Sequence, residues 1–155
     1  MGMHDDAPAT ARWQGSTRIV TSHASGAEIA TDMPGELGGT GDLVTPGWLM
    51  RAGLAACTAT RIAMGAAAAG IELTNLELRA SSRSDTRGLL GMNETDGTPI
   101  GAGPRDVQLH VTIAARGVPA QRLRELVEES HRCSPVPCAI QDETPVSLHI
   151  EIADG

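Results

Sequence analysis

The stretch TPGWLMRAGLAACTATRIAMGAAAAG, from Thr45 to Gly70, decides the fold. Thr45 is a suitable N-cap, and Pro46 fits the first helical turn, where a missing N–H leaves no helical bond unmade. From there the composition stays helical to Ala69, and Gly70 provides the left-handed residue on which helices commonly stop. The spacing predicts a helix of about 24 residues, near 36 Å long at about 1.5 Å per residue. Arg51 and Arg61 interrupt it and alanine dominates it, so it reads as a central helix of a soluble domain rather than a membrane span. Gly53, Cys57, Thr60 and Met64 share one stripe, whose small residues admit a closely packed neighbour.

Upstream of this helix, a Gly-rich loop covers residues 34–42. Before it, residues 17–21 and 27–31 carry strand patterns around the turn His23-Ala24-Ser25-Gly26, an N-terminal hairpin. Residues 1–11 are polar and acidic, with neither a basic nor an apolar run, so they are expected to be a disordered tail and not a secretory signal. Residues 12–155 are expected to form a single domain. Downstream, Leu76, Leu78 and Ala80 alternate with polar residues as a half-buried strand, and the polar stretch 81–104 is expected to be a long loop or hairpin arm. Val107, Leu109, Val111 and Ile113 alternate as another strand. Pro119 opens a second helix with Leu123, Leu126 and Val127 on its apolar face. Pro135 and Pro137 break that helix, and Val146, Leu148, Ile150 and Ile152 mark a closing strand. The order β-β-α-β-β-α-β predicts an α+β fold with antiparallel sheets.

Composition narrows the function. The 155 residues are 41% apolar yet include no Phe or Tyr and only two Trp, so the core must be built from aliphatic side chains and alanine in close contact. All 12 basic residues are arginine, and 19 acidic residues leave a net charge of −7. A net-acidic chain without a basic run or an aromatic platform lacks the footprint of a nucleic-acid binder, and none is expected as partner. A soluble, cytoplasmic protein without membrane association is expected.

The three cysteines, Cys57, Cys133 and Cys138, are too few for a disulfide scaffold. They point to redox chemistry, metal binding or plain burial. Cys57 reads either as a small buried hydrophobe or as a reactive thiol. A second thiol region after the broken second helix favours the reactive role, since an oxidised thiol needs a partner to resolve it. His131, Cys133 and Cys138, with His110 or His149, are zinc-ligand types, but H-x-C-x4-C fits no common structural zinc pattern, so no metal is expected.

The segment Pro34-Gly35-Glu36-Leu37-Gly38-Gly39 through Thr45-Pro46 and on to Cys57 resembles the OsmC/Ohr family. There, a Gly-rich loop, a Thr or Asn before proline and an Ala-rich helix ending in a cysteine recur together. Ser84-Asp85-Thr86-Arg87-Gly88-Leu89-Leu90-Gly91 and the stretch His131-Arg132-Cys133-Ser134-Pro135-Val136 look like one branch of that family. The resemblance implies a swapped homodimer with a shared core, its long helices packed across the subunits. It also implies a thiol-dependent peroxidase without a cofactor. In that reading Cys57 attacks an organic hydroperoxide, Cys133 resolves it with Cys138 as the alternative, and an external dithiol resets the pair. Arg18, with Arg12 behind it, matches the family's arginine, whose guanidinium favours thiolate over thiol. Arg61, one turn after Cys57, could act similarly.

Two departures stand against this. Ser134 precedes Pro135-Val136 where many relatives have cysteine, and Gly47 follows Pro46 where peroxidase members carry the glutamate that pairs with the arginine. They keep open a second possibility, an OsmC-like domain without peroxidase activity that binds a small molecule or a partner.

Overall fold

The computed structural model describes residues 2–152. The chain forms two compact units, Met1–Ala52 and Gly53–Gly155, the division falling inside the long helix.

In the first unit β1 (Thr10–Trp13), β2 (Ile19–Ser22) and β3 (Glu28–Thr31) form an antiparallel meander. The β2–β3 hairpin is the one the pattern predicts, closed by the Gly26 N–H donating to the His23 carbonyl at 3.0 Å. Gly26 holds φ at +88°, a value that suits glycine. β1 was not expected, and it takes in Thr10 and Ala11, which the pattern placed in the tail; they pair with Ser22 and Thr21. All four β1 residues are exposed, so no apolar alternation marks the strand, and it forms through its backbone ladder.

The long helix, α1 (Pro46–Ala68), has 23 residues. Its start is capped as the sequence suggests, the Thr45 hydroxyl accepting from the Trp48 N–H at 3.3 Å. Its end is a Schellman motif: the Gly70 N–H donates to the Ala67 carbonyl at 3.2 Å and the Ile71 N–H to Ala66 at 2.9 Å. Gly70 sits at φ +66°.

In the second unit β4 (Leu73–Arg83) and β5 (Arg105–Ala115) pair antiparallel, with Leu76 opposite Ile113 and Leu78 opposite Val111. From Leu76 on β4 and Val107 on β5, every second residue turns to one face, where Ile62, Ala66 and Leu126 form the buried cluster packed against Leu76, Leu78, Val111 and Ile113. Leu126 comes from α3 (Ala120–Arg132), which Pro119 opens as expected. The helix breaks at Cys133 and Ser134 and restarts as α4 (Pro135–Gln141), with Pro135 in its first turn.

Of the two expectations for residues 81–104, the hairpin arm is the one found at its base: β4 runs on to Arg83, which pairs with Arg105 of β5, and a short helix, α2 (Thr86–Leu89), follows. Asp85 accepts from the Arg87 N–H at 3.0 Å, and its carboxylate and that of Glu94 both bind the Arg87 guanidinium, at 2.7 and 3.2 Å. Gly88 lies so close to the Gly101 carbonyl that any Cβ would collide with it. Polar pairing of this kind leaves no hydrophobic period to read. The closing strand, in turn, is absent: residues 146–152 are not paired, and Val146 is 92% and Ile152 88% exposed. Their period of two reports that one face seeks burial, but it does not say which sheet edge supplies it. Among the described residues no helix is long and apolar enough to cross a membrane.

Candidate active site

The three cysteines lie in the second unit, and they are free thiols. Cys57 sits mid-way along α1 and is half-buried. The buried stripe of that helix is Leu54, Thr58, Ile62 and Ala66, one position round from Cys57. The stripe expected from spacing faces elsewhere: Gly53 and Cys57 are half-buried, while Thr60 and Met64 are exposed.

α3 runs antiparallel along α1, and glycine sets the approach. A Cβ at Gly65 would lie 2.8 Å from Leu126 Cδ1 and 3.3 Å from Ser130 Oγ. One turn earlier on α1, the Arg61 carbonyl accepts from Ser130 Oγ at 3.4 Å.

Ser134 is fully buried, and its hydroxyl donates to the Ser130 carbonyl at 2.8 Å. The two thiols flank it. Cys133 is the exposed C-cap of α3, and Cys138 is half-buried on α4 with its Sγ–H donating to the Arg132 carbonyl at 3.3 Å.

Next to Cys57, the Thr58 side chain is fully buried and its hydroxyl has no partner; the Nδ1 atom of His131 is likewise buried and unpaired. Both residues line a cleft of about 370 Å³ whose other walls include Leu54, Leu109, Pro137 and Ile140. An unsatisfied buried hydroxyl costs about 1–3 kcal/mol, so this apolar cleft retains an unmet polar demand. Among the described residues no three His, Cys, Asp or Glu side chains are grouped so as to hold a metal ion.

Arg18 lies in the first unit, at the β1–β2 turn, and is held by acidic residues the sequence reading did not single out. Its Nη2 lies 2.7 and 2.9 Å from the Asp42 carboxylate oxygens, 3.0 Å from Thr40 Oγ1 and 3.5 Å from Asp32 Oδ2. Asp32 is buried and accepts from the Thr17 hydroxyl at 2.5 Å, the Thr40 hydroxyl at 2.7 Å, and the Met33 and Thr40 N–H groups at 2.8 and 3.1 Å. These bonds, the Thr17 hydroxyl foremost, hold the Asp32 carboxyl far below its ordinary value. The Thr40 hydroxyl and then Arg18 lower Asp42 as well, and Asp42 raises Arg18. Gly39 permits this loop, since any Cβ there would collide with the Met33 carbonyl. The signal available in the sequence was Thr40-Gly41-Asp42, a polar insertion in an otherwise Gly-rich loop. Arg12 is engaged elsewhere, donating to Ser22 Oγ at 3.1 Å.

No curated protein sequence matches the chain. Several solved structures share its fold. An OsmC-like protein from Mycoplasma pneumoniae is 21% identical, with 90% of this chain and 89% of that one covered at a TM-score of 0.72. An organic hydroperoxide resistance protein from Elizabethkingia anophelis is 24% identical, with 91% of each chain covered at a TM-score of 0.68. The organic hydroperoxide resistance protein OhrB of Bacillus subtilis is 23% identical, with 88% of this chain and 91% of that one covered at a TM-score of 0.55. The profile of the OsmC-like protein family matches residues 39–149, well over half of the sequence. With its α+β fold, antiparallel sheets and cysteine-bearing central helix, the chain belongs to the OsmC-like protein family.

Proposed function

We propose that the protein is a thiol-dependent peroxidase for organic hydroperoxides that acts in oxidative stress defence as a cytoplasmic homodimer. The observation that carries this reading is the thiol arrangement of the second unit, with Cys57 half-buried on α1, Cys133 capping α3 and Cys138 on α4. Family membership and the fold shared with organic hydroperoxide resistance proteins support it.

The Cys57 thiolate attacks one oxygen of the O–O bond, an alcohol leaves, and the sulfur becomes a sulfenic acid. The Cys133 thiol then condenses with it, expelling water and forming a disulfide that an external dithiol reduces. Sulfur carries both electrons, so no cofactor is required. Arg18 is the group proposed to stabilise the thiolate, and Asp42 takes the place of the glutamate absent at Gly47 by holding that guanidinium. The exposed Ala56, Thr60, Ala63 and Met64 of α1, and the uncovered apolar residues of 146–152, support a swapped dimer in which a second copy covers both.

The test is consumption of tert-butyl hydroperoxide with dithiothreitol as reductant. Arg18→Ala should slow it by roughly 10–100-fold, one to two decades being about 1.4–2.8 kcal/mol of lost thiolate and transition-state stabilisation. Arg18→Lys should recover only part, because a point charge does not replace the fork. Unchanged turnover in Arg18→Ala would remove Arg18 from the mechanism. A second reading, a small-molecule binding protein without peroxidase activity, is favoured by the apolar cleft with its unpaired Thr58 hydroxyl.

A further inference from the structure

We infer that Cys133 and Cys138 form an exchangeable pair that takes the disulfide over from Cys57, so that the bond meeting the reductant is Cys133–Cys138. The inference deepens the peroxidase reading and takes its oxidant from it; the pairing of the two thiols stands on geometry alone.

The Sγ of Cys138 lies 3.3 Å from the Arg132 carbonyl oxygen. That oxygen belongs to the peptide whose other end is the Cys133 nitrogen, and trans-peptide dimensions place the Cys133 Cα within about 6 Å of the Cys138 sulfur. Rotation of both side chains about χ1, with the Cys138 sulfur leaving the Arg132 carbonyl, is the movement a disulfide between them requires. The backbone between them is already fixed. Cys138 N–H donates to the Ser134 carbonyl at 3.1 Å, Pro135 opens α4, and Pro137 is fully buried. Little chain entropy is therefore lost on closing so short a loop.

Proximity decides the direction of transfer. Ser134 is buried and carries no sulfur, whereas the Cys138 sulfur lies beside the Arg132–Cys133 peptide, placed to attack a disulfide at Cys133. Once a Cys57–Cys133 disulfide has formed, the Cys138 thiolate attacks the Cys133 sulfur. The new Cys133–Cys138 bond forms as the Cys57–Cys133 bond breaks, and Cys57 leaves as thiolate, ready for the next hydroperoxide. The exchange changes no net oxidation state. It frees Cys57 and leaves the oxidised bond at the α3–α4 junction, where a dithiol reductant attacks the exposed Cys133 sulfur and takes up the oxidation.

Peptide mapping reads this directly. Trypsin cuts after Arg132, so Cys133 and Cys138 fall on one peptide, whereas Cys57 falls on the peptide between Arg51 and Arg61. The full chain is treated with one equivalent of tert-butyl hydroperoxide and then with N-ethylmaleimide. The expected product is the peptide beginning at Cys133, lacking two hydrogens and unalkylated, with Cys57 alkylated. Cys138→Ser should stop at a Cys57–Cys133 crosslink and turn over about tenfold more slowly with dithiothreitol. A wild-type product that remains Cys57–Cys133, with Cys138 alkylated, overturns the inference. Should hydroperoxide oxidise nothing, the peroxidase reading fails, and the pairing is then read with diamide, which removes two hydrogens from a dithiol. Under diamide, Cys57→Ser should yield the Cys133–Cys138 bond; if both thiols stay alkylatable, the pairing fails too.

Discussion

Replacing Cys57 with serine is expected to lower the rate of alkyl hydroperoxide consumption by a factor of at least about 10³. The hydroxyl is nearly the size of the thiol, but it does not ionise in the working range and cannot carry two electrons from a peroxide to a second sulfur. The side chain is half-buried and lies off the buried stripe of Leu54, Thr58, Ile62 and Ala66, so the fold should be untouched and the melting temperature nearly unchanged. Cys133 and Cys138 remain in the variant and bound the residual rate, since they are ordinary exposed and half-exposed thiols without an assigned activating group. A Cys57→Ser protein that keeps most of its activity would transfer the nucleophile to the α3–α4 end.

The second large effect concerns the core. Ile62 is 0% exposed and packs, with Ala66 and Leu126, against the shared face of β4 and β5. Ile62→Ala should destabilise the protein by about 2–5 kcal/mol through lost burial and the cavity left behind. That is a large share of a typical total of about 5–15 kcal/mol. The upper part of the range is expected, because the chain has no Phe or Tyr to swing into the space, and the strand residues of the facing sheet are held in register. A fall in the urea midpoint at constant slope would report it. A change below about 1 kcal/mol would mean that the cluster is not the core of the second unit.

What the sequence showed and what it hid have separate physical origins. α1 was legible at both ends because capping is local: Thr45 and Gly70 act through their own backbone neighbourhood. The break between α3 and α4 was legible for the same reason, since prolines exclude helical bonds wherever they stand. β4, β5 and the face of α3 were legible through their apolar period. By contrast, β1 has no buried face, and the Asp85–Arg87–Glu94 grouping joins residues by charge rather than period. Residues 146–152 carry a strand pattern whose partner edge lies outside what a pattern encodes.

At the candidate site the split is similar. Cys57 stood out by its place on the helix, and the Cys133–Cys138 region by its prolines. The grip of Asp42 and Asp32 on Arg18 crosses 24 and 14 positions of chain, and only folding the Gly-rich loop against the β1–β2 turn brings those groups together.

The central claim is that Cys57 is the sulfur a hydroperoxide oxidises, and trapping its sulfenic acid tests that most directly. In the protein carrying Cys133→Ser and Cys138→Ser, no thiol in the chain remains to resolve the first product, so it should persist long enough to react with dimedone. One equivalent of tert-butyl hydroperoxide should give a dimedone adduct on the peptide containing Cys57, in a yield matching the hydroperoxide consumed. Hydroperoxide left unconsumed, with Cys57 recovered as free thiol, would contradict the account.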